Sequence, residues 1–205
     1  MSLSSTAIAA LEPALGWLKQ AALYPADAAA LAAIVGSVGS LRALCASPFE
    51  EETAVSSEWL EAPREFLETQ QVEFTRLFIN RHGGVLAPPY ASVYLSGGTL
   101  LGEAADDVVA LYAEGDLEWA PRPGADTPDH LTVELEFLQH LARLCAAGDE
   151  ATALEAEDLW TRFWTVHMNS WLPAFQRKLS EGAASPLYRL TARALAGLIE
   201  KEKNG

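Results

Sequence analysis

An all-α fold, one globular helical domain, is predicted by three observations along the 205 residues. Ala, Leu, Glu and Arg recur at helical spacing over most of the chain. Strand-like alternation is nearly absent, 85–95 being the one extended-looking stretch. No internal repeat period emerges, which argues against a solenoid. The expected helices are 5–22, 26–45, 63–81, 104–114, 128–146, 151–179 with an interruption near Pro173, and 186–201. The Pro/Gly-rich 120–128 separates an N-terminal lobe (1–120) from C-terminal helices (128–203), and reads either as a hinge or as a stiff surface loop.

Composition narrows the function classes. Half the residues are apolar and a fifth are charged, with no apolar run long enough for a bilayer, so no integral membrane segment is expected. The first basic residue is Lys19, so the start lacks the basic region of a secretory signal, and a cytoplasmic location is expected. Acidic side chains outnumber basic ones 28 to 14, a net charge of −14 that repels nucleic acid and suits a basic partner or plain solubility. Cys45 and Cys145 are far apart, which suggests neither a disulfide framework nor a cysteine metal site.

The densest chemistry lies in TPDHLTVELEFLQHL at 127–141. Thr127 suits an N-cap, Pro128 the first helical position, and Asp129 the first turn, where the positive helix end favours a carboxylate. At 100° per residue, His130 and Glu134 fall within the apolar arc, while Glu136 and His140 fall opposite with Thr132, Gln139 and Arg143 as a solvated face. The four groups cannot converge on one ion. Glu134 could fix the tautomer of His130, or the histidine could simply be satisfied inside the core.

Elsewhere, Trp160, Trp164, His167, Met168, Trp171 and Phe175 share a face that suits core packing. Pro88 and Pro89 favour an extended backbone that presents Tyr90, Ser92 and Tyr94 in alternation. Glu-x-x-His, HExxH, CxxC, GxSxG and phosphate-loop motifs are all absent. No catalytic residue, metal or cofactor is therefore expected. The enzyme alternative is a small helical metal or redox enzyme using His130, Glu134 and His167.

EFTRLF at 73–78, APPYASVY at 87–94, GTLLG at 98–102 and PDHLTVELEFL at 128–138 occur in the order and spacing of the TorD/DmsD family, to which the NarJ-type chaperones are more distantly related. The resemblance runs on through WLPAFQRKL and SPLYRL, and departs from the common pattern at Asn80, Arg81 and Ala91. It implies a cytoplasmic all-helical chaperone, not an enzyme. Its implied partner is the precursor of a molybdenum-cofactor oxidoreductase catalytic subunit, bound through the twin-arginine signal peptide and held back from export until the cofactor is inserted. It implies Asp129 and His130 at the binding site with Glu134 in support, joined by Tyr90, Ser92, Tyr94, Glu73 and Phe74. Either a monomer or a dimer that exchanges domains through 120–128 is compatible with it.

Overall fold

The computed structural model describes residues 3–44, 50–80, 84–96, 103–121 and 126–205. Every regular element among them is helical. The elements are α1 (Ser5–Ala9), α2 (Glu12–Ala21), α3 (Ala28–Gly36), α4 (Glu50–Glu61), α5 (Pro63–Phe74), α6 (Ala91–Leu95), α7 (Glu103–Glu114), α8 (Leu131–Ala147), α9 (Glu150–Phe163), α10 (Asn169–Gly182) and α11 (Pro186–Asn204). The first expected helix is broken between α1 and α2, and the second ends in a 3-10 turn, Val38–Ala43. Helix α4 was not expected: EEETAVSSEWLE has little apolar periodicity and buries chiefly Val55, so its packing against α11 decides its conformation. Cys45 and 122–125 of the expected hinge lie outside the described residues.

Helix α8 is the axis of the molecule, held between α1, α2 and α9. Its apolar arc supplies Leu131, Leu135, Phe137, Leu138 and Leu141 to the core. The face expected to be solvated is covered in part: Thr132 and Gln139 are buried, while Glu136 and His140 are half-buried and Arg143 stays exposed. Helix α2 lies on that face, and its polar groups replace water. Glu12 Oε1 accepts from Gln139 Nε2 and Arg143 Nε, each at 2.8 Å. Lys19 stands 4.0 Å from Glu136, so Glu136 and His140 are not merely a solvated pair. Gly16 permits this approach, because a Cβ there would stand 2.7 Å from Gln139 Nε2.

The tryptophan stripe of α9 and α10 is core, as its spacing predicts. Trp160, Trp164, Met168, Trp171 and Phe175 are all buried, each contributing roughly 1.5–3 kcal/mol of apolar transfer. The expected break near Pro173 sits earlier in the chain, as a π-turn over Trp164–Met168, while Pro173 itself lies inside α10. A π-turn carries an extra residue and so resets the phase of the side chains after it. His167 lies in this turn and is buried. A second π-turn, Thr75–Ile79, follows α5.

Candidate functional site at the mouth of helix α8

The N-terminus of α8 does not start as its sequence suggested. Thr127 and Pro128 form a turn, and His130 is the N-cap, extended at φ −76° and ψ 135°. Its Nδ1 accepts from the Thr132 N–H at 3.2 Å and lies 2.7 Å from Thr132 Oγ1. That leaves Nε2 to carry the ring proton. A histidine nitrogen here takes the place of the usual capping oxygen, so the orphan N–H of the first turn is satisfied.

Residues 89–95 lie across this mouth as a strap. The Leu131 N–H donates to Pro89 O at 2.9 Å and the Ala91 N–H to Asp129 O at 3.0 Å, making an isolated antiparallel bridge between Tyr90 and His130. The Tyr90 ring meets the imidazole edge-on at 4.9 Å. Asp129 Oδ2 accepts from the Ser92 N–H at 2.8 Å. From below, the Tyr112 hydroxyl of α7 donates to Pro128 O at 2.8 Å. The strap was expected to be extended through Tyr94. Tyr90 is extended, but α6 follows it, so Ser92 and Tyr94 lie on a helical turn and do not alternate with Tyr90, and Ser92 is buried. The prolines set the backbone only locally, and Asp129 captures the first amides of the turn.

Glu134 does not hold His130. It is fully buried, and its Oε1 lies 2.6 Å from Nε2 of His167, delivered from the π-turn 33 residues away. Burial pushes the Glu134 carboxyl above its ordinary range, against the lowering influence of His167. Burial also opposes a charge on His167, but Glu134 outweighs it and raises the imidazole pKa. The two shifts describe one proton held within the pair to higher pH than a free imidazole would hold it. The Trp171 indole approaches the same carboxylate, yet neither its Nε1 nor Glu134 Oε2 completes a hydrogen bond.

The structure thus brings together Tyr90, Ser92, Asp129, His130 and Glu134, with Tyr94 alongside. Tyr94 rests on Trp171 and Phe175 at 5.7 and 6.4 Å, with Lys178 Nζ 5.1 Å from its ring centroid. Its hydroxyl is buried without a partner, and burial drives its pKa up. Glu73 and Phe74 are placed elsewhere. Glu73 takes two bonds from Arg76 at 2.7 Å, and its Oε1 accepts from the Ala184 and Ser185 N–H groups at 2.6 and 3.4 Å, clamping α5 to the start of α11. Phe74 packs on Tyr24, Phe78 and Tyr188. Sequence reasoning joined His167 to His130 and Glu134 only in the enzyme alternative, and not to the peptide site. The histidine was legible as a member of the tryptophan stripe, but its direct bond to Glu134 across 33 residues was not.

Chemically, the arrangement can accept hydrogen bonds and hold positive charge. Among the described residues no three His, Cys, Asp or Glu side chains are grouped so as to hold a metal ion. The expected enzymatic pairing of His130 with Glu134 is not formed. A separate cavity of about 210 Å³ lies on the far side of α8, lined by Tyr112, Trp119, Val133, Phe137, His140 and Arg143 among others. No described helix is long and apolar enough to cross a membrane.

The family model described as "Nitrate reductase delta subunit" matches residues 42–177, more than half of the chain. The chaperone protein TorD from strains of Vibrio cholerae serotype O1 is 31% identical over 122 residues, covering 58% of this chain and 54% of that protein. The chain therefore aligns with about half the length of these relatives. A crystal structure of a candidate redox enzyme maturation protein from Archaeoglobus fulgidus superposes with a TM-score of 0.63 at 24% identity, covering 93% of this chain and 94% of the other, a likeness in fold. With the helical architecture and the sequence blocks at 73–78, 87–94 and 128–138 in agreement, the chain belongs to the nitrate reductase delta subunit family, the TorD/NarJ group.

Proposed function

We propose that the protein is a cytoplasmic maturation chaperone, not an enzyme, that holds the twin-arginine signal peptide of a molybdenum-cofactor oxidoreductase precursor while the cofactor is inserted. The observation that carries this reading is the mouth of α8, where Asp129 and Glu134 sit fully buried, each with one carboxylate oxygen that completes no hydrogen bond, the Trp171 indole standing near that of Glu134. A twin-arginine signal presents two guanidinium groups and then an apolar helix, and carboxylates beside apolar walls are what such a segment requires. Family membership and the TorD relatives support the same reading. The net charge of −14 favours encounter with a basic segment, an attraction that fades with salt.

Within this reading, Asp129, His130, Glu134, Tyr90, Ser92 and Tyr94 form the peptide site, and Glu73 with Phe74 supports it through the α5–α11 junction. The test is capture of the tagged protein from its own cells under anaerobic growth, followed by identification of what accompanies it. A molybdoenzyme precursor is expected. Consistent recovery without one, while such an enzyme is being expressed, contradicts the proposal. Stoichiometric metal in protein purified without chelator would favour the enzyme reading instead.

A further inference from the structure

The peptide site described above is closed. Asp129, Glu134 and Ser92 are all fully buried, so no side chain from solvent reaches their oxygens in this conformation. We propose that residues 89–95 are a displaceable strap: peptide binding lifts them, and the guanidinium of an arginine then takes the unbonded oxygens of Asp129 and Glu134. This rests on the peptide-binding reading and adds the movement by which the site opens.

Four observations converge on the strap. First, Asp129 Oδ1, Glu134 Oε2, Ser92 Oγ and Tyr94 Oη are all buried without a hydrogen-bond partner. They belong to one neighbourhood, linked by the Ser92–Asp129 bond, by the mutual field of Asp129 and Glu134, and by the approach of Trp171 to both Glu134 and Tyr94. Unpaired buried acceptors are rare because each forfeits its solvation, and a group of them marks a place whose satisfied state differs from the one seen.

Second, the bonds that fasten the strap to the mouth are few: Ser92 N–H to Asp129 Oδ2, Ala91 N–H to Asp129 O, and Leu131 N–H to Pro89 O. Two of them end on Asp129, one on its carboxylate, so a ligand that engages that carboxylate competes directly with the Ser92 bond. Third, the buried side chains of this segment are small, Pro89, Ala91 and Ser92, and Tyr94 covers Trp171 and Phe175, so lifting it uncovers an apolar wall that the peptide's own apolar helix would then cover.

Fourth, the charge is suited to a cation. Asp129 and Glu134 face one imidazole partner, His167, while Asp107 and Asp126 add to the negative field acting on His167 and Tyr90. His130 caps α8, and Lys178 lies over the outer Tyr94 ring rather than on either carboxylate. A guanidinium offers five donors in a planar fork and can span two acceptors at once, which an ammonium does less well.

Amide hydrogen exchange on the full chain, with and without a saturating synthetic peptide of two consecutive arginines followed by an apolar helix, tests this. The Ala91, Ser92 and Leu131 amides are expected to exchange at least about tenfold faster in the complex, against the usual gain of protection on binding. A peptide carrying glutamines in place of the arginines should leave them as in the free protein. Saturated binding with those amides unchanged or better protected overturns the strap while leaving the proposed function standing. Failure of the arginine peptide to bind at all overturns both.

Discussion

Two regions of this molecule bury carboxylates in opposite ways. At the α5–α11 junction, Glu73 receives two bonds from Arg76 and the N–H groups of Ala184 and Ser185, just ahead of α11. Burial alone would raise its pKa, but those donors hold it below the ordinary carboxylate range. At the mouth of α8, the Asp129 and Glu134 carboxylates are more deeply buried yet less served, with one hydrogen bond apiece and one oxygen apiece unmatched. There burial prevails, and the Glu134 pKa is raised. A carboxylate with all its acceptors filled is a clamp. One left partly unfilled is available to a donor from outside.

The contrast can be broken by stranding one partner at each place. His167→Leu leaves Glu134 buried with no partner, and a loss of about 3–4 kcal/mol is expected in urea unfolding near neutral pH. The deficit should shrink on acidification, because a protonated Glu134 no longer carries the buried charge. Glu73→Ala frees Arg76, which is about a third exposed, and two backbone donors, so a smaller loss of about 2–3 kcal/mol is expected by the same measurement. Equal losses with equal pH dependence would erase the distinction.

The wild-type pH profile sharpens it further. The Glu134–His167 pair binds its proton more tightly folded than unfolded, so its stabilisation is complete below the ordinary value of each group. It is lost as pH rises above about 6.5 through the raised His167 value. Glu73 has the opposite sign: its contribution is present above 4.5 and is lost as pH falls through its depressed value. Thermal unfolding across pH 3 to 9 (a span of about six units) should show both limbs, and His167→Leu should flatten the alkaline one.

A smaller effect is expected at the partly buried Glu202, which accepts from Trp160 Nε1 at 2.8 Å and whose pKa burial pushes up to about 7. Its stabilisation is present below 4.5 and disappears as pH rises through about 7. Glu202→Gln keeps an acceptor for the indole without the charge, and should gain on the order of 1 kcal/mol or less at pH 8, after allowance for solvent screening. No gain there would mean that water reaches this carboxylate freely.

Helical periodicity made the fold class and the core face of α8 legible, and the tryptophan stripe proved to be core. What stayed hidden depended on contacts distant in sequence. The polar face of α8 is partly covered because α2 brings Glu12 and Lys19 to it, and nothing local to 131–147 announces that. Helix α4 has an almost featureless pattern and depends on α11. His167 meets Glu134 from a π-turn 33 residues away, a pairing no local pattern shows. At the site itself, sequence pointed to Asp129 and His130 but assigned the cap to Thr127, since a histidine cap is outside the usual preference for Ser, Thr, Asp and Asn.

The central claim is that the under-served carboxylates at the α8 mouth receive arginine. Titration calorimetry of the twin-arginine peptide against wild type and Asp129→Asn tests it most directly, with far-ultraviolet circular dichroism confirming that the variant is folded. The account predicts at least about tenfold weaker binding, or roughly 1.4 kcal/mol, for a substitution that keeps the shape and an acceptor for Ser92 while removing the charge. A folded Asp129→Asn variant that binds the peptide as tightly as wild type would contradict it.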